Sequence, residues 1–136
     1  MSVKKILNAV STAVVVIVAV VVLGLVAMRL MGLQGYVVLS GSMEPVYHTG
    51  SVIYVQSKVD ASALEEGQII TFRLTGDTIA THRIIEVVEE NGAVRYRTKG
   101  DANEVADGSL VDPAQVIGTP KFSIPYLGFA LTYIQS

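Results

Sequence analysis

One uncharged run near the N-terminus constrains the fold of this 136-residue chain more than any other feature. Residues 6–28 contain no Asp, Glu, Lys or Arg, and residues 14–22 are all valine, isoleucine or alanine. A helix needs about 20 largely apolar residues to cross a bilayer. Dense β-branching disfavours helices in water, but in lipid a helix satisfies the backbone hydrogen bonds within the segment. The run therefore predicts a transmembrane helix.

The residues on either side of this run indicate whether it is cleaved or retained, and how it is oriented in the membrane. A cleavable signal peptide is the alternative, but its apolar stretch is shorter and ends promptly in a small-x-small site, which is not evident here. Lys4 and Lys5 precede the run and Arg29 follows it. Because basic residues favour the cytoplasmic side, we expect a cytoplasmic N-terminus and a body on the outer face.

The rest of the chain has the sequence pattern of a small β protein. Short β-type runs separated by turn residues occupy residues 51–56, 69–74, 78–89 and 93–98, with a hairpin turn at 90–92. Residues 116–117 and 121–124 are predicted as a further pair of short strands, and residues 60–65 as a helical turn. The end, 125–134, is apolar but too short to span a bilayer.

Composition excludes several classes of function. Ten Lys and Arg against twelve Asp and Glu leave a net charge of −2, which gives no basis for binding nucleic acid. No cysteine is present, so disulfides, thiolate metal sites and a cysteine nucleophile are excluded. Two histidines in separate contexts make a poor metal-ligand set, and no cofactor is implied.

Ser40-Gly41-Ser42, followed by Pro45, is a candidate nucleophile segment. Glycine lets a backbone come close to a substrate carbonyl, which a nucleophilic serine requires. The alternative is an ordinary surface loop. His82, in a strand-like run, is the candidate base, since histidine can accept a proton at neutral pH.

Other bases and the orienting carboxylate come from the remaining polar residues. Lysine serves as a base only when burial removes its proton, and the lysines on the same side of the membrane are Lys58, Lys99 and Lys121. His48 is interpreted as a structural turn residue. Asp101 and Asp107 lie in a glycine-punctuated loop and either of them is suited to orient a histidine. A solvated acidic turn or a weak cation site is the alternative for this loop.

Ser-Gly-Ser-Met-Glu-Pro, Thr-His-Arg-Ile and Lys-Gly-Asp-(x)5-Asp, in this order after one membrane helix, resemble a type I signal peptidase. The match is to the serine/histidine class of the endoplasmic reticulum, archaea and some sporulating Gram-positive bacteria. The common bacterial class has lysine where this chain has His82. The resemblance covers nearly the whole chain and implies a mainly β fold, with an N-terminal stub and anchor over 1–34 and a compact β-rich catalytic domain over 35–136.

The resemblance also implies roles for individual residues. Ser42 would be the nucleophile, and the Ser40 hydroxyl with the backbone N–H of Ser42 would line the oxyanion hole. His82 would be the general base, Asp107 would orient it, and Asp101 would support the loop. Ala102 stands where the family frequently has asparagine, so one local side-chain hydrogen bond is lost.

The implied reaction is removal of signal peptides from secretory preproteins after a small-x-small motif. Its implied partners are these signal peptides, the lipid bilayer, and accessory subunits or the translocation machinery. The implied location is the cell membrane, or the endoplasmic-reticulum membrane in a eukaryote. Two alternatives stay open: a non-catalytic single-pass β-domain for adhesion or assembly, and a dedicated peptidase for a few substrates.

Overall fold

A computed structural model of the chain describes residues 2–130 and separates two units, Met1–Gly32 and Leu33–Ser136. Residue 1 and residues 131–136 lie outside the described residues. The last four residues of the predicted apolar stretch 125–134 therefore fall outside them.

The first unit is one long helix, α1, over Val3–Leu30. Ser2 caps its N-terminus, because its hydroxyl accepts a hydrogen bond of 3.3 Å from the Lys5 N–H. A 28-residue helix is about 42 Å long, and the mean hydropathy of its most apolar window is 3.0. Within residues 2–130, α1 is the one helix long and apolar enough to cross a membrane. A helix over the uncharged run is confirmed, and its crossing of a membrane stays a prediction.

The second unit is a six-stranded antiparallel sheet, which confirms the predicted mainly β fold. Its strands are β1 Leu33–Val37, β2 Val52–Gln56, β3 Ile69–Arg73, β4 Ile79–Glu90, β5 Ala93–Lys99 and β6 Val116–Ile124. Their spatial order is β1-β2-β6-β3-β4-β5, so β6 joins the two halves of the sheet by pairing with both β2 and β3. A 3₁₀ turn, Pro113–Gln115, precedes β6.

The predicted hairpin between β4 and β5 is present. Glu90 pairs with Ala93, and the two residues between them, Asn91 and Gly92, have φ angles of 53° and 79°. A turn with positive φ at both central positions has a backbone twist that matches the twist of the two strands. Asn and Gly tolerate this conformation best, which is why the turn is readable from sequence.

Three sequence predictions differ from the structure. Strand β1 was not predicted, because its Gly- and Gln-containing sequence lacks the residue pattern of a strand. It is a strand because it pairs with β2. Residues 116–117 and 121–124 belong to one continuous strand, since a bulge beside Pro120 lets the ladder pass the proline. Residues 60–65 form turns and not a helical turn, and the Asp60 carboxylate accepts the Ser62 N–H at 3.0 Å there.

The core of the second unit lies on one face of β3, β4 and β5. Its buried members are Leu64, Ile70, Phe72, Ile84, Tyr96 and Val111. Tyr96 is fully buried, and its phenol is satisfied on both sides. It donates to the Ala61 carbonyl at 2.6 Å and accepts from the Leu64 N–H at 3.2 Å. The tyrosine therefore anchors the loop before β3 to the core.

Replacing this tyrosine tests that anchor. Tyr96→Phe keeps the ring but removes both hydrogen bonds, and the Leu64 N–H and Ala61 carbonyl lose these partners. We expect the free energy of unfolding to fall by about 1–3 kcal/mol, the usual cost of unsatisfied buried polar groups. Thermal unfolding of the full chain in detergent measures this. Tyr126→Phe, at a side chain that is 72% exposed, is the matched control and should leave the melting temperature unchanged.

Candidate active site

Strand β4 carries His82 at the rim of the core. His82 lies opposite Ile70 of β3, and its ring meets the edge of the Phe72 ring at 6.2 Å between centroids. Since alternate residues of a strand share a face, His82 and the buried Ile84 are on the same side of the sheet. The His82 side chain is thus placed by ordinary strand geometry, with the Phe72 ring against it.

Asp107 makes a hydrogen bond with the Nδ1 nitrogen of His82. Its Oδ2 lies 2.6 Å from His82 Nδ1 and also accepts a 2.7 Å hydrogen bond from the Thr98 hydroxyl. The Asp107 N–H donates to the Thr98 carbonyl at 2.8 Å, so the end of β5 fixes both backbone and side chain. The Asp107 side chain is 27% exposed and that of His82 14% exposed. With the proton on Nδ1, the outer nitrogen of His82 is free to accept one.

Ser42 meets that outer nitrogen. Its Oγ lies 3.2 Å from His82 Nε2, although 40 residues separate the two in sequence. The Ser40 hydroxyl lies 3.1 Å from Ser42 Oγ and 3.5 Å from the Ser42 N–H. A hydroxyl, an imidazole and a carboxylate in this order can make the hydroxyl a nucleophile.

The loop after β5 holds the backbone of Ser42 in place. The Ala102 N–H donates to the Ser42 carbonyl at 2.9 Å, and the Asp101 N–H donates to the Met43 sulfur at 3.4 Å. Gly100 packs so closely that a Cβ there would lie 2.6 Å from the Ser42 carbonyl oxygen. Only glycine permits this approach, so the Lys-Gly-Asp sequence has a steric reason.

An ion pair fastens this loop to β4. Arg83 donates from Nε and from one terminal nitrogen to the two oxygens of Asp101, at 2.9 and 2.7 Å. Its other terminal nitrogen donates to the Gly67 carbonyl at 2.7 Å. Hydrogen bonds from this guanidinium hold the pKa of the Asp101 carboxyl below its usual range. Burial raises the pKa of the neighbouring Tyr47 phenol, and the positive charge of Arg83 partly offsets this.

The structure brings together Ser40, Ser42, His82 and Asp107, and places Asp101 in the loop that supports them. His48 lies in an exposed turn, 3.9 Å from Glu44. The Lys99 ammonium donates to the Gly100 carbonyl at 3.1 Å, whereas the imidazole of His82 lies within hydrogen-bond distance of Ser42. Across residues 2–130, no three His, Cys, Asp or Glu side chains converge as a metal site requires.

Sequence reasoning missed two members of the arrangement. Arg83 stands within the Thr-His-Arg-Ile motif and Thr98 directly precedes Lys-Gly-Asp, but neither residue was predicted to have a role. Their positions were the available signal, since Arg83 directly follows the base and Thr98 ends the strand before the aspartate loop. Both roles depend on hydrogen bonds that span 9 and 18 residues, which a local pattern does not reveal.

A cleft of about 660 Å³ runs along the candidate nucleophile. One wall is the segment from Tyr36 to Ser40, and the other is formed by Asp77 and Thr78 together with the first residues of β4, up to His82. Met43 and Ile53, each only 2% exposed, lie at its base. The cleft is therefore mostly apolar and open along the edge of two strands.

The chain matches known proteins over much of this region. The family model described as signal peptidase, peptidase S26, matches residues 8–94, which include Ser40, Ser42 and His82. Signal peptidase I W of Bacillus subtilis is 39% identical over 69% of this chain and 46% of its own length. The human signal peptidase complex catalytic subunit SEC11C is 38% identical over 68% of this chain and 52% of its own length. The chain thus spans about half the length of these relatives.

The pairing of Asp101 with Arg83 makes a pH-dependent prediction. Because the pKa of Asp101 is lower in the folded chain than in the unfolded chain, the pair stabilises the fold above the unfolded value, about 3.9. That stabilisation is lost as the pH falls through the pKa that Asp101 has in the folded chain. We expect Asp101→Asn to lower the free energy of unfolding by about 2 kcal/mol at pH 7, and the difference from wild type to shrink below about pH 4.

Thermal unfolding of both proteins between pH 7 and pH 3 measures this difference. Asp77→Asn is the control, since the Asp77 side chain is fully exposed and only 3.9 Å from Arg73. A gap between Asp101→Asn and wild type that stays constant down to pH 3 would contradict the ion pair as its cause.

Proposed function

The chain belongs to the signal peptidase family, peptidase S26, and from this premise we propose that it is a membrane-anchored serine endopeptidase. Its substrates are secretory preproteins, from which it removes signal peptides after a small-x-small motif. The family predicted from the three ordered motifs is confirmed. The relatives include both a bacterial signal peptidase and catalytic subunits of signal peptidase complexes, as expected for the serine/histidine class.

The observation that carries the proposal is the continuous line of hydrogen bonds from Ser42 through His82 to Asp107. The contacts are 3.2 Å and 2.6 Å, and they use the two different nitrogens of the imidazole. A non-catalytic adhesion domain needs no such line. A domain that was held together by apolar packing alone would not require these three side chains to be hydrogen-bonded to one another.

The proposed reaction passes through an acyl-enzyme. His82 Nε2 takes the proton of Ser42 as its oxygen attacks the scissile carbonyl carbon, and Asp107 stabilises the resulting imidazolium. His82 then gives this proton to the leaving amine as the C–N bond breaks. A water molecule attacks the acyl group in the second step, with His82 taking its proton and returning it to Ser42.

The negative charge on the carbonyl oxygen needs donors in both steps. The Ser40 hydroxyl and the Ser42 N–H lie together beside the nucleophile and are the proposed donors. The loop from Gly100 to Ala102 contributes indirectly, because it fixes the carbonyl of Ser42 and so limits movement of the nucleophile.

The substrate segment is proposed to bind as an added strand. Within residues 2–130, β5 pairs with β4 only from Arg83 onward, so Ile79–His82 leave one backbone edge open. Strand β1 is at the other end of the sheet order and also has an open edge. Residues of both edges line the cleft, and an extended peptide between them would gain backbone hydrogen bonds.

The anchor sets the proposed location. The apolar helix and the relatives fit a single-pass membrane protein. We place the N-terminus in the cytoplasm and the β-rich catalytic domain, residues 35–136, on the outer face of the cell membrane, or of the endoplasmic-reticulum membrane in a eukaryote. Confining enzyme and substrate to one surface raises their effective concentration. SEC11C is named as the catalytic subunit of a complex, which supports accessory subunits or the translocation machinery as partners.

Two serine variants test the reaction. We expect Ser42→Ala to abolish cleavage of a preprotein carrying an Ala-x-Ala site, because the nucleophile is gone. Ser40→Ala removes one oxyanion donor and should lower kcat by about 10²–10³ while leaving measurable activity. Detergent-solubilised full chain, with lipid added, is incubated with the preprotein, and the new N-terminus is sequenced.

The outcomes separate the three functions under consideration. Cleavage by wild type but not by Ser42→Ala supports the peptidase, and a range of preproteins separates a general enzyme from a dedicated one. Absence of cleavage with every substrate, in the presence of lipid and partner subunits, would leave the non-catalytic β-domain. A fully active Ser40→Ala enzyme would remove the oxyanion role of that hydroxyl.

Thr98 provides a test of how Asp107 is held. Thr98→Val keeps the shape of this buried side chain but loses its 2.7 Å hydrogen bond to the carboxylate. We expect kcat to fall about tenfold with little change in KM, since Asp107 then orients His82 less well. Thr98→Ser retains the hydroxyl and should recover most of the rate. Equal losses in the two variants would indicate a packing role only.

A further inference from the structure

The sequence Ala-x-Ala occurs once in this chain, as Ala61-Ser62-Ala63, directly before Leu64. The segment lies between β2 and β3 at the surface of the second unit, where Ser62 and Ala63 are exposed and Ala61 is half-buried. It has the small-x-small pattern that the proposed reaction cleaves. The protein therefore carries its own proposed cleavage motif on its surface, and the bond that would be cut is Ala63–Leu64.

The backbone of this segment is folded back in a turn. The Ala63 N–H donates to the Asp60 carbonyl at 3.1 Å, and the Ser62 N–H donates to the Asp60 carboxylate at 3.0 Å. A peptide that binds as an added strand must be extended and must offer its N–H and carbonyl groups to the edge of the sheet. In the turn, both of these donors already have partners within the chain.

The Tyr96 phenol holds both ends of the same segment. It donates to the Ala61 carbonyl at 2.6 Å and accepts from the Leu64 N–H at 3.2 Å. Tyr96 is fully buried, and Leu64, which is 8% exposed, belongs to the same core cluster. Because the Leu64 N–H is part of the Ala63–Leu64 peptide bond, this contact restrains the bond itself. We call residues 60–64, with their hydrogen bonds to Asp60 and Tyr96, the clamped turn.

We propose that the clamped turn protects the protein from cleavage by a second copy of itself, and that Ala63–Leu64 is the bond cut when the turn opens. The inference rests on the proposed function and assigns it a further substrate, this chain in its locally opened form. Copies that are confined to one membrane surface meet at a raised effective concentration, which favours cleavage between molecules.

The cleavage is a hydrolysis that needs no reactant besides water. Ser42 Oγ of one copy attacks the carbonyl carbon of Ala63 in another copy, and His82 takes the serine proton. The C–N bond to Leu64 then breaks, and His82 gives this proton to the Leu64 nitrogen, which becomes a new amino terminus. Water releases Ala63 as a free carboxylate and restores the Ser42 hydroxyl.

The experiment uses two preparations of the full chain in detergent with added lipid. Untagged wild type is the enzyme, and a tagged Ser42→Ala chain, which has no nucleophile, is the substrate. Adding Tyr96→Phe to the substrate removes both hydrogen bonds of the phenol. We expect the tagged chain then to be cut about tenfold faster, since cleavage follows the population of the opened form. Sequencing of the new fragment should begin at Leu64.

Asp60→Ala provides a second route to the same opening. Its side chain is exposed, so the substitution leaves the core intact while it removes the acceptor of the Ser62 N–H. In the Ser42→Ala substrate it should raise the rate of cleavage at Ala63–Leu64 several-fold. This variant decides the question even where Tyr96→Phe does not fold.

Two further substitutions are matched controls. Tyr126→Phe makes the same chemical change at a phenol that is 72% exposed, and it should leave the Ser42→Ala substrate as resistant as before. Ala63→Leu enlarges the small residue before the scissile bond at an exposed position. Added to the substrate that carries Tyr96→Phe, it should restore resistance.

The results distinguish this inference from the proposed function. If wild type cleaves a preprotein but cuts the Tyr96→Phe and Asp60→Ala substrates no faster than Ser42→Ala alone, the protective role is wrong and the peptidase stands. Cleavage that persists after Ala63→Leu would place the cut elsewhere and would also overturn the inference. If wild type cleaves no preprotein, the proposed function and the inference are both overturned.

Discussion

The ion pair between Arg83 and Asp101 is the contact on which the arrangement of the site depends. It joins β4 to the loop after β5, and that loop in turn holds the carbonyl of Ser42 through Ala102. Both charges are mostly shielded, with side chains 33% and 20% exposed, and both oxygens of the carboxylate are used. A bidentate pair of this kind sets direction as well as distance. Ser42 and His82 thus share one support, although they are 40 residues apart in the chain.

The alternation of β4 explains how adjacent residues serve different purposes. His82 points to the core face and meets Asp107, while Arg83 points to the other face and meets Asp101. One short loop supplies both carboxylates, so the two contacts reinforce each other. The same alternation puts Thr81 on the face of Arg83, where its hydroxyl lies 2.7 Å from that of Thr71. A register slip of one residue would exchange these roles, and the extensive pairing of β3, β4 and β5 prevents it.

Patterns that are local in sequence predicted their structures well, and those that depend on distant partners did not. The uncharged run predicts α1, and Asn91-Gly92 predicts the β4–β5 hairpin, because each needs only its own residues. Strand β1 depends on its pairing with β2, so its own sequence did not predict it. Residues 116–117 and 121–124 were predicted as two short strands, but a bulge lets the single strand β6 continue past Pro120. Thr98 was unassigned for the same reason as β1, since its partner is a carboxylate nine residues away.

The sequence by itself determined the kinds of chemistry open to this protein. It supplies an apolar helix, no thiol, one strand histidine beside an arginine, and serines on either side of a glycine. Tertiary structure alone decided that Ser42 and His82 meet, because the residues between them must first form β2 and β3, and both strands must pair with β6. It also decided that, within residues 2–130, the β4 edge stays open beside the cleft. Strand pairing is settled by the free energy of the whole sheet, and residue types along one segment do not specify which edge remains unpaired.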